Sequence, residues 1–499
     1  MGNRQADVCL LLEGTYPYIS GGVSSWTHDL IVAHADLKFA IVSIVADKLP
    51  ARQAFKLPSN VVDWRTIAVG RLRQGNTSFR GVRELPARLA PALSAFLKGG
   101  GLREFSRLLE LLSPVRADAG TSSLLNSPEA WSTLTTMYNN GNRATSFLDY
   151  FWTWRALLTG LYSVVLSELP DAKVYHAIST GYAGLLAARA SIETGRPSLI
   201  TEHGIYTNER RIEIALADWL HDPGTLSLGE DVEPGGLKAM WANTFSAYSR
   251  TAYEAAHRIT TLYAGNQDMQ RRDGAPLGKL SIIANGIDVS RFSKIERAPA
   301  KRWPCIALIG RVVPIKDIKT YIRAVRILAD TVTEFDALVL GPDDEDIEYA
   351  RECRALVEQL GLKDRITFTG RVKLDEYLSR IDLNVLTSVS EAQPLVVLEA
   401  GAAGIPSVST DVGCCRELLA GVANETPAFG EGGIITPLAN PTAVAAALRD
   451  MITNPARLAA AGRAMKLRVD AFYNKGLIDR RYRQLYDEAA TRPECREVA

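Results

Sequence analysis

Short runs of β-branched and aliphatic residues alternate along the chain with longer stretches whose apolar positions recur at helical spacing. This is the pattern of βαβ units built on parallel sheets. In the first part the runs predict strands at 8–12, 39–45, 174–178, 199–202, 259–263 and 281–284, with helices near 23–35, 182–194 and 266–272. A second series predicts strands at 306–309, 337–340, 366–369, 383–387, 407–409 and 433–436. The expected fold class is therefore α/β, with two Rossmann-like domains at 1–290 and 291–474 and a linker near 291–304. Residues from about 60 to 170 interrupt the first series. There Leu102, Phe105, Leu108, Leu109 and Leu112 fall on one helical face, so the stretch reads as an inserted helical layer. After a long helix at 455–472, Leu477, Ile478, Tyr482, Leu485 and Tyr486 form an apolar stripe. Residues 475–499 thus read as a last helix that packs back on the first domain.

The 499 residues exceed the roughly 250–300 at which one core stops growing, in keeping with two domains. With 57 Lys plus Arg against 56 Asp plus Glu, net charge supplies no general field for nucleic acid or an anionic membrane, so any anion site is local. The cysteines include no CxxC pair and the histidines no HExxH or zinc-finger spacing, so neither a disulfide framework nor a metal site is expected. No apolar run approaches the ~18–20 residues that span a bilayer, and the first, 8–12, is short for a signal peptide. The expected location is cytoplasmic.

Four motifs could carry chemistry. Ser388 to Glu399 follows a buried strand and runs into a helix, with Pro394 suited to its first turn. That places a helix N-terminus at the strand end, a natural anion site, with Glu391 before the helix and Glu399 one turn beyond Leu395. On spacing alone, both acids fit equally a dipole partner and a salt-bridged helix residue. Gly310 and Arg311 end a strand and Lys316 follows. Two cations at a strand's carboxyl end suit a diphosphate, although surface cations at a turn fit too. Gly21 and Gly22, between the first strand and first helix, permit close backbone approach or simply a tight turn. His203 lies just past a strand beside Gly204, as a contact to a reacting group or a structural imidazole.

Other features point away from chemistry. No GxGxxG accompanies the first strand, which removes the main support for a nicotinamide dehydrogenase. Residues 274–279 lack P-loop spacing. Asp343, Asp344, Glu345 and Asp346 read as solvated acids and a helix cap rather than metal ligands. Arg71, Arg73, Arg80, Arg83 and Arg88 read as a solvated face, with a docking patch as the other reading.

Taken together, Gly21-Gly22, His203, Asn285-Gly286-Ile287-Asp288, Gly310-Arg311 with Lys316, and Glu391 to Glu399 resemble glycosyltransferase family 4. The stretch Glu13 to Trp26, the helical insertion and Pro314 to Asp317 resemble more closely the branch of that family that builds the Pel exopolysaccharide. The resemblance implies a GT-B fold with two Rossmann-like domains facing across a crevice, and retaining, metal-independent transfer of a hexosyl or hexosaminyl unit from a UDP-sugar. It implies catalytic roles for His203, Arg311, Lys316 and Glu391, and substrate contacts from Gly21, Gly22, Gly310, Leu395 and Glu399. Arg311 and Lys316 would bind the diphosphate, Glu399 the ribose, and Glu391 the donor sugar. The implied partners are a polysaccharide acceptor and inner-membrane export proteins, with no separate cofactor and Asn285 to Asp288 as a hinge. Two departures stand out: Ala392-Gln393-Pro394 replaces the frequent Gly-Phe-Gly, and Asp317 occupies a frequent Gly position. A sugar-nucleotide epimerase of the same fold and a non-catalytic nucleotide-binding scaffold remain open.

Overall fold

The computed structural model describes residues 5–14, 16–19, 21–46, 52–76, 84–140, 145–217, 236–296, 303–422 and 425–491. Its residues form two compact units. The first comprises residues up to Thr261, Asn266–Ile282 and the chain from Tyr482, and the second Leu262–Gly265 and Ile283–Arg481.

The first unit is built on a seven-stranded parallel sheet of β1 (Ala6–Glu13), β2 (Phe39–Val45), β3 (Val61–Ala68), β4 (Ala172–Ala177), β5 (Ser198–Glu202), β6 (Arg258–Thr261) and β7 (Leu280–Ile282). Its order is β3-β2-β1-β4-β5-β6-β7. The central strands are buried on both faces, so their sequences are uninterrupted apolar runs rather than alternating ones. β3 corrects the expected extent of the insertion: it lies inside residues 60–170, yet it pairs with β2 from Phe39↔Val61 to Val45↔Ala68. As an edge strand it carries Asp63 and Arg65 among its apolar residues, which hides the strand signal. The helical layer begins at Leu85–Leu97 and ends with Phe147–Leu166.

The second unit holds a six-stranded parallel sheet of β8 (Cys305–Ile309), β9 (Asp336–Leu340), β10 (Ile366–Gly370), β11 (Leu383–Leu386), β12 (Ser407–Thr410) and β13 (Gly433–Thr436), ordered β10-β9-β8-β11-β12-β13. Alternate β8 residues feed two cores. Ile306 and Leu308 join the layer of helices Ile318–Ala329 and Pro441–Ile452, while Cys305, Ala307 and Ile309 join that of Leu395–Ala402 and Pro455–Phe472. The chain changes unit after Ile282, before the expected boundary at 290. Part of the expected linker is the short helix Val289–Ser293, capped by Asp288.

The last helix, Lys475–Ala490, belongs to the first unit from Tyr482 onward. Tyr482 and Tyr486 are buried there, and the Tyr486 hydroxyl lies 2.8 Å from His176 Nδ1. Among the described residues no helix is long and apolar enough to cross a membrane.

Candidate functional site

In both sheets the strand order reverses direction beside the first strand, and in open α/β sheets ligands collect at the carboxyl ends of the strands flanking that point. In the second unit these strands are β8 and β11. The turn after β8 is pressed against its neighbour: Gly310 N donates to Leu340 O at 2.8 Å. A Cβ on Gly341, whose φ is +149°, would lie 2.1 Å from Gly310 O, so only glycine lets these backbones meet. The turns after β8 and β11 are tied together as well. Val389 N donates to Ile315 O at 2.9 Å, and Thr387 Oγ1 reaches the carbonyls of Lys316 and Asp317, each at 3.0 Å.

These ties bring Lys316 and Glu391 into an ion pair, and Ser388 Oγ donates to the same carboxylate at 2.8 Å. Both charged side chains are largely buried, at 17% and 16% exposure. Asp317, at φ +43°, explains the departure noted there. The position is left-handed, which favours glycine; aspartate tolerates it, and its carboxylate caps helix Ile318–Ala329 by accepting from Thr320 N at 3.2 Å. Arg311 does not join this cluster. Its half-exposed guanidinium is turned to Glu345, at 2.5 and 2.6 Å.

The turn at Glu391-Ala392 is shaped by Gly413, at φ +52°, where a Cβ would come within 2.2 Å of Glu391 O. Pro394 is the N-cap of helix Leu395–Ala402, one position earlier than a first-turn residue, and no side chain caps the helix. Its first amides are therefore available to an anion. Leu395 is exposed, and Glu399 lies one turn on along the same face. Burial pushes the Glu399 carboxyl up, partly offset by the Arg291 guanidinium, which itself grips Asp375 with two contacts of 2.9 Å. Gln393 Oε1 accepts from Asn285 N at 2.7 Å, while Gln393 Nε2 and Asn285 Oδ1 are buried without a hydrogen-bond partner among the described residues. Gly286 sits where a Cβ would meet Lys475 Cα at 2.7 Å, and Ile287 N donates to Tyr473 O at 2.9 Å.

In the first unit the reversal lies between β1 and β4. Glu13 ends β1 and accepts from Tyr182 N at 2.9 Å and Tyr206 Oη at 3.0 Å. Burial pushes its carboxyl up, with Arg210 opposing. Gly21, the N-cap of helix Gly22–Ala33, is extended, and among the described residues a Cβ on it or on Gly22 meets nothing within 4 Å. Packing among the described residues does not require these glycines, and their small size permits close approach to the helix N-terminus. The His203 ring stands edge-on to Trp26 at 4.7 Å; its Nε2 is buried without a partner among the described residues, and burial lowers its pKa to about 4.

Thus Gly310, Lys316 and Glu391 come together, Leu395 and Glu399 share a helix face, and Arg311 stands aside. Gly21, Gly22 and His203 belong to the other unit. Ser388, Gln393, Glu13 and Trp26 were not singled out as site residues. The available signal was position: each follows or ends a strand, or lies within a turn of one that does. Of the basic stretch, Arg71, Arg73 and Arg88 are exposed, and Arg80 and Arg83 lie outside the described residues. Asp346 caps helix Ile347–Gln359, accepting from Tyr349 N at 2.9 Å, and Asp343 pairs with Arg354.

Two parallel-sheet Rossmann-like domains define the class, an α/β chain of the GT-B type. Solved structures share this fold. Sucrose-phosphate synthase from Thermosynechococcus elongatus is 17% identical with a TM-score of 0.57, covering 97% of this chain and 98% of its own. The Anabaena protein HepE in complex with UDP is 13% identical with a TM-score of 0.58, covering 97% and 100%. Residues 6–277 match the family model described as Domain of unknown function (DUF3492), and the chain belongs to that family. Residues 304–454 match the model of Glycosyl transferases group 1. Among curated relatives, D-inositol 3-phosphate glycosyltransferase of Streptomyces avermitilis is 27% identical over 336 residues, 64% of either chain. The enzyme of that name from Rhodococcus opacus is 28% identical over 208 residues, 39% of this chain and 45% of its own. The matches thus span less than two thirds of these relatives.

Proposed function

We propose that this chain is a retaining glycosyltransferase that moves a hexosyl or hexosaminyl unit from a UDP-sugar to a growing polysaccharide of the Pel type. The observation that carries the reading is the Lys316–Glu391–Ser388 cluster at the carboxyl ends of β8 and β11, beside the uncapped N-terminus of Leu395–Ala402. A leaving nucleotide diphosphate gains negative charge as the glycosidic bond breaks. A fixed ammonium and aligned amides stabilise that charge without reorganising. Arg311, freed from its exposed partner Glu345, adds a second cation. Glu399 takes the ribose hydroxyls and Glu391 the donor sugar, with Gly310 and Leu395 against the nucleotide.

In this scheme the acceptor hydroxyl attacks from the face the nucleotide leaves and passes its proton to the departing phosphate. A glycosidase-like route would instead need a carboxylate opposite the leaving group. His203, neutral over most of the pH range because burial lowers its pKa to about 4, contacts the reacting centre as a hydrogen-bonding imidazole. Gly21 and Gly22 admit the acceptor. Lys316, Arg311 and the amides at the helix N-terminus supply the positive charge that a metal would otherwise bring, so transfer proceeds without a metal in this scheme. The UDP complexes of HepE support the donor, and the resemblance of the Glu13 to Trp26 stretch supports the polymer, built on the cytosolic side with inner-membrane export partners.

The test is incubation with labelled UDP-, GDP- and ADP-sugars in EDTA, with oligosaccharide and D-inositol 3-phosphate acceptors in separate arms, and NMR of the new linkage. Expected are a UDP-sugar donor, a polysaccharide product, an α-linkage from an α-donor, and kcat/KM lowered ~10²–10³-fold in Lys316→Ala. Normal turnover in that variant, with folding verified, would remove the cluster from the mechanism.

A further inference from the structure

Helix Pro128–Asn139 and the first turns of helix Phe147–Leu166 in the first unit each bury one face, through Ala130 and Leu134 on one and Tyr150, Trp154 and Leu158 on the other, while Gly160 to Leu166 are buried all round. Their remaining faces hold large apolar side chains in water: Trp131 is 52% exposed, Phe147 36%, Leu148 63% and Trp152 59%. These residues are contiguous. Phe147 packs edge-on to Trp131 at 5.7 Å, and Phe151 lies 6.2 Å from Trp131 and 5.0 Å from Trp152. Leu148 and Trp152, four residues apart, share a helix face. Scattered exposed apolar residues are ordinary, whereas a continuous aromatic strip marks a binding surface.

The chemistry around the strip selects its occupant. Between residues 128 and 155 the only charged residues are Glu129, Arg143, Asp149 and Arg155, so the segment is balanced and lysine-free. Arg155 donates to Asn126 Oδ1 at 2.8 Å. An anionic bilayer is recruited by a surplus of basic residues flanking the aromatic ones, which this segment lacks. The exposed polar neighbours in sequence are mostly hydroxyls and amides, Ser132, Thr136, Asn139, Asn140 and Ser146, with Asp149 as an exposed carboxylate. A pyranose ring matches both parts. Its flat face of polarised C–H bonds stacks on the electron-rich face of an aromatic ring, and its equatorial hydroxyls reach the polar rim.

We infer that the strip from Trp131 to Trp152 is a saccharide-binding site that holds the polymer on the helical insertion, separate from the residues assigned to transfer. The inference rests on the proposed polysaccharide acceptor, and it gives the insertion a role. An electron-rich platform of this kind also accepts protonated amino sugars through cation–π contact.

The test uses the full chain without donor. Tryptophan fluorescence is titrated with hexamers of N-acetylglucosamine and of N-acetylgalactosamine, their de-N-acetylated forms, and dextran. Expected is saturable binding of at least one saccharide, weakened about tenfold for each ring removed in Trp131→Ala and Trp152→Ala, with far-UV circular dichroism and the urea midpoint unchanged as the check on folding and calorimetric UDP affinity unchanged as the check that the donor site is untouched. Failure of every saccharide to bind, or equal binding by the variants, would overturn the inference. So would wild-type cosedimentation with phosphatidylglycerol vesicles, or a wild-type dimer by ultracentrifugation, that the double variant abolishes. Saccharide binding that persists in a chain with no transfer from any nucleotide sugar would count against the proposed activity alone.

Discussion

Glu202 and His176 show how much of the first unit's stability rests on buried polar side chains with full sets of partners. Glu202, 1% exposed, accepts from Tyr253 Oη at 2.6 Å, Gln270 Nε2 at 2.7 Å and Thr180 Oγ1 at 3.1 Å. Removing the carboxylate strands these three buried donors and the Tyr206 amide, which donates to it at 3.4 Å. Glu202→Ala should therefore cost about 3 kcal/mol or more, read as a lower urea midpoint at unchanged slope. His176 sits between Tyr486 Oη and Thr201 Oγ1, each at 2.8 Å, and burial lowers its pKa from 6.5 to about 3. Between these values the unfolded chain binds the proton that the folded chain refuses, so stability rises with pH and is lost on acidification. At pH 5 the loss is about 2 kcal/mol from this residue. His203, lowered to about 4, acts in the same direction. Melting temperatures at pH 7 and pH 5 should draw closer together in His176→Gln than in the wild type.

At the scale of elements, the last helix is the clearest case of a sequence pattern with a structural purpose. Tyr482, Leu485, Tyr486 and Ala489 are buried in the first unit, with Tyr482 5.3 Å from the Trp26 ring and Tyr486 6.0 Å from that of His34. Burying such side chains contributes on the order of 5–10 kcal/mol, as much as the whole stability of many domains. A chain ending at Arg481 should lose near-UV circular dichroism and bind ANS, and a peptide of residues 475–491 added in trans should restore the signal. The strands of both sheets were legible because doubly buried parallel strands are continuous apolar runs. β3 was not, since an edge strand admits Asp63 and Arg65. The site was legible in part. Gly310, Lys316 and Glu391 stand at strand ends, a local property of the sequence. That Lys316 chooses Glu391 while Arg311 chooses Glu345 is decided by how separate turns pack, which no local pattern encodes.

For the whole molecule, connectivity matters as much as fold. The chain leaves the first unit at Ile282, builds the second, and returns at Tyr482, so no single contiguous segment contains a complete first unit. The family models at 6–277 and 304–454 omit the returning helix, and boundaries drawn from them would yield a first unit lacking its final layer. Translation meets the same constraint. The surface around His34, Phe39 and His176 leaves the ribosome early, yet the tyrosines that cover it come after Arg481. At ~5–20 residues per second the stretch from His176 to Tyr482 takes roughly 15–60 s to make. Throughout that interval each nascent chain presents an apolar groove shaped for a tyrosine-bearing helix. On a polysome, the released helix of one finished copy can enter the groove of the next, so the feature that closes the first unit is also a route to domain-swapped misassembly.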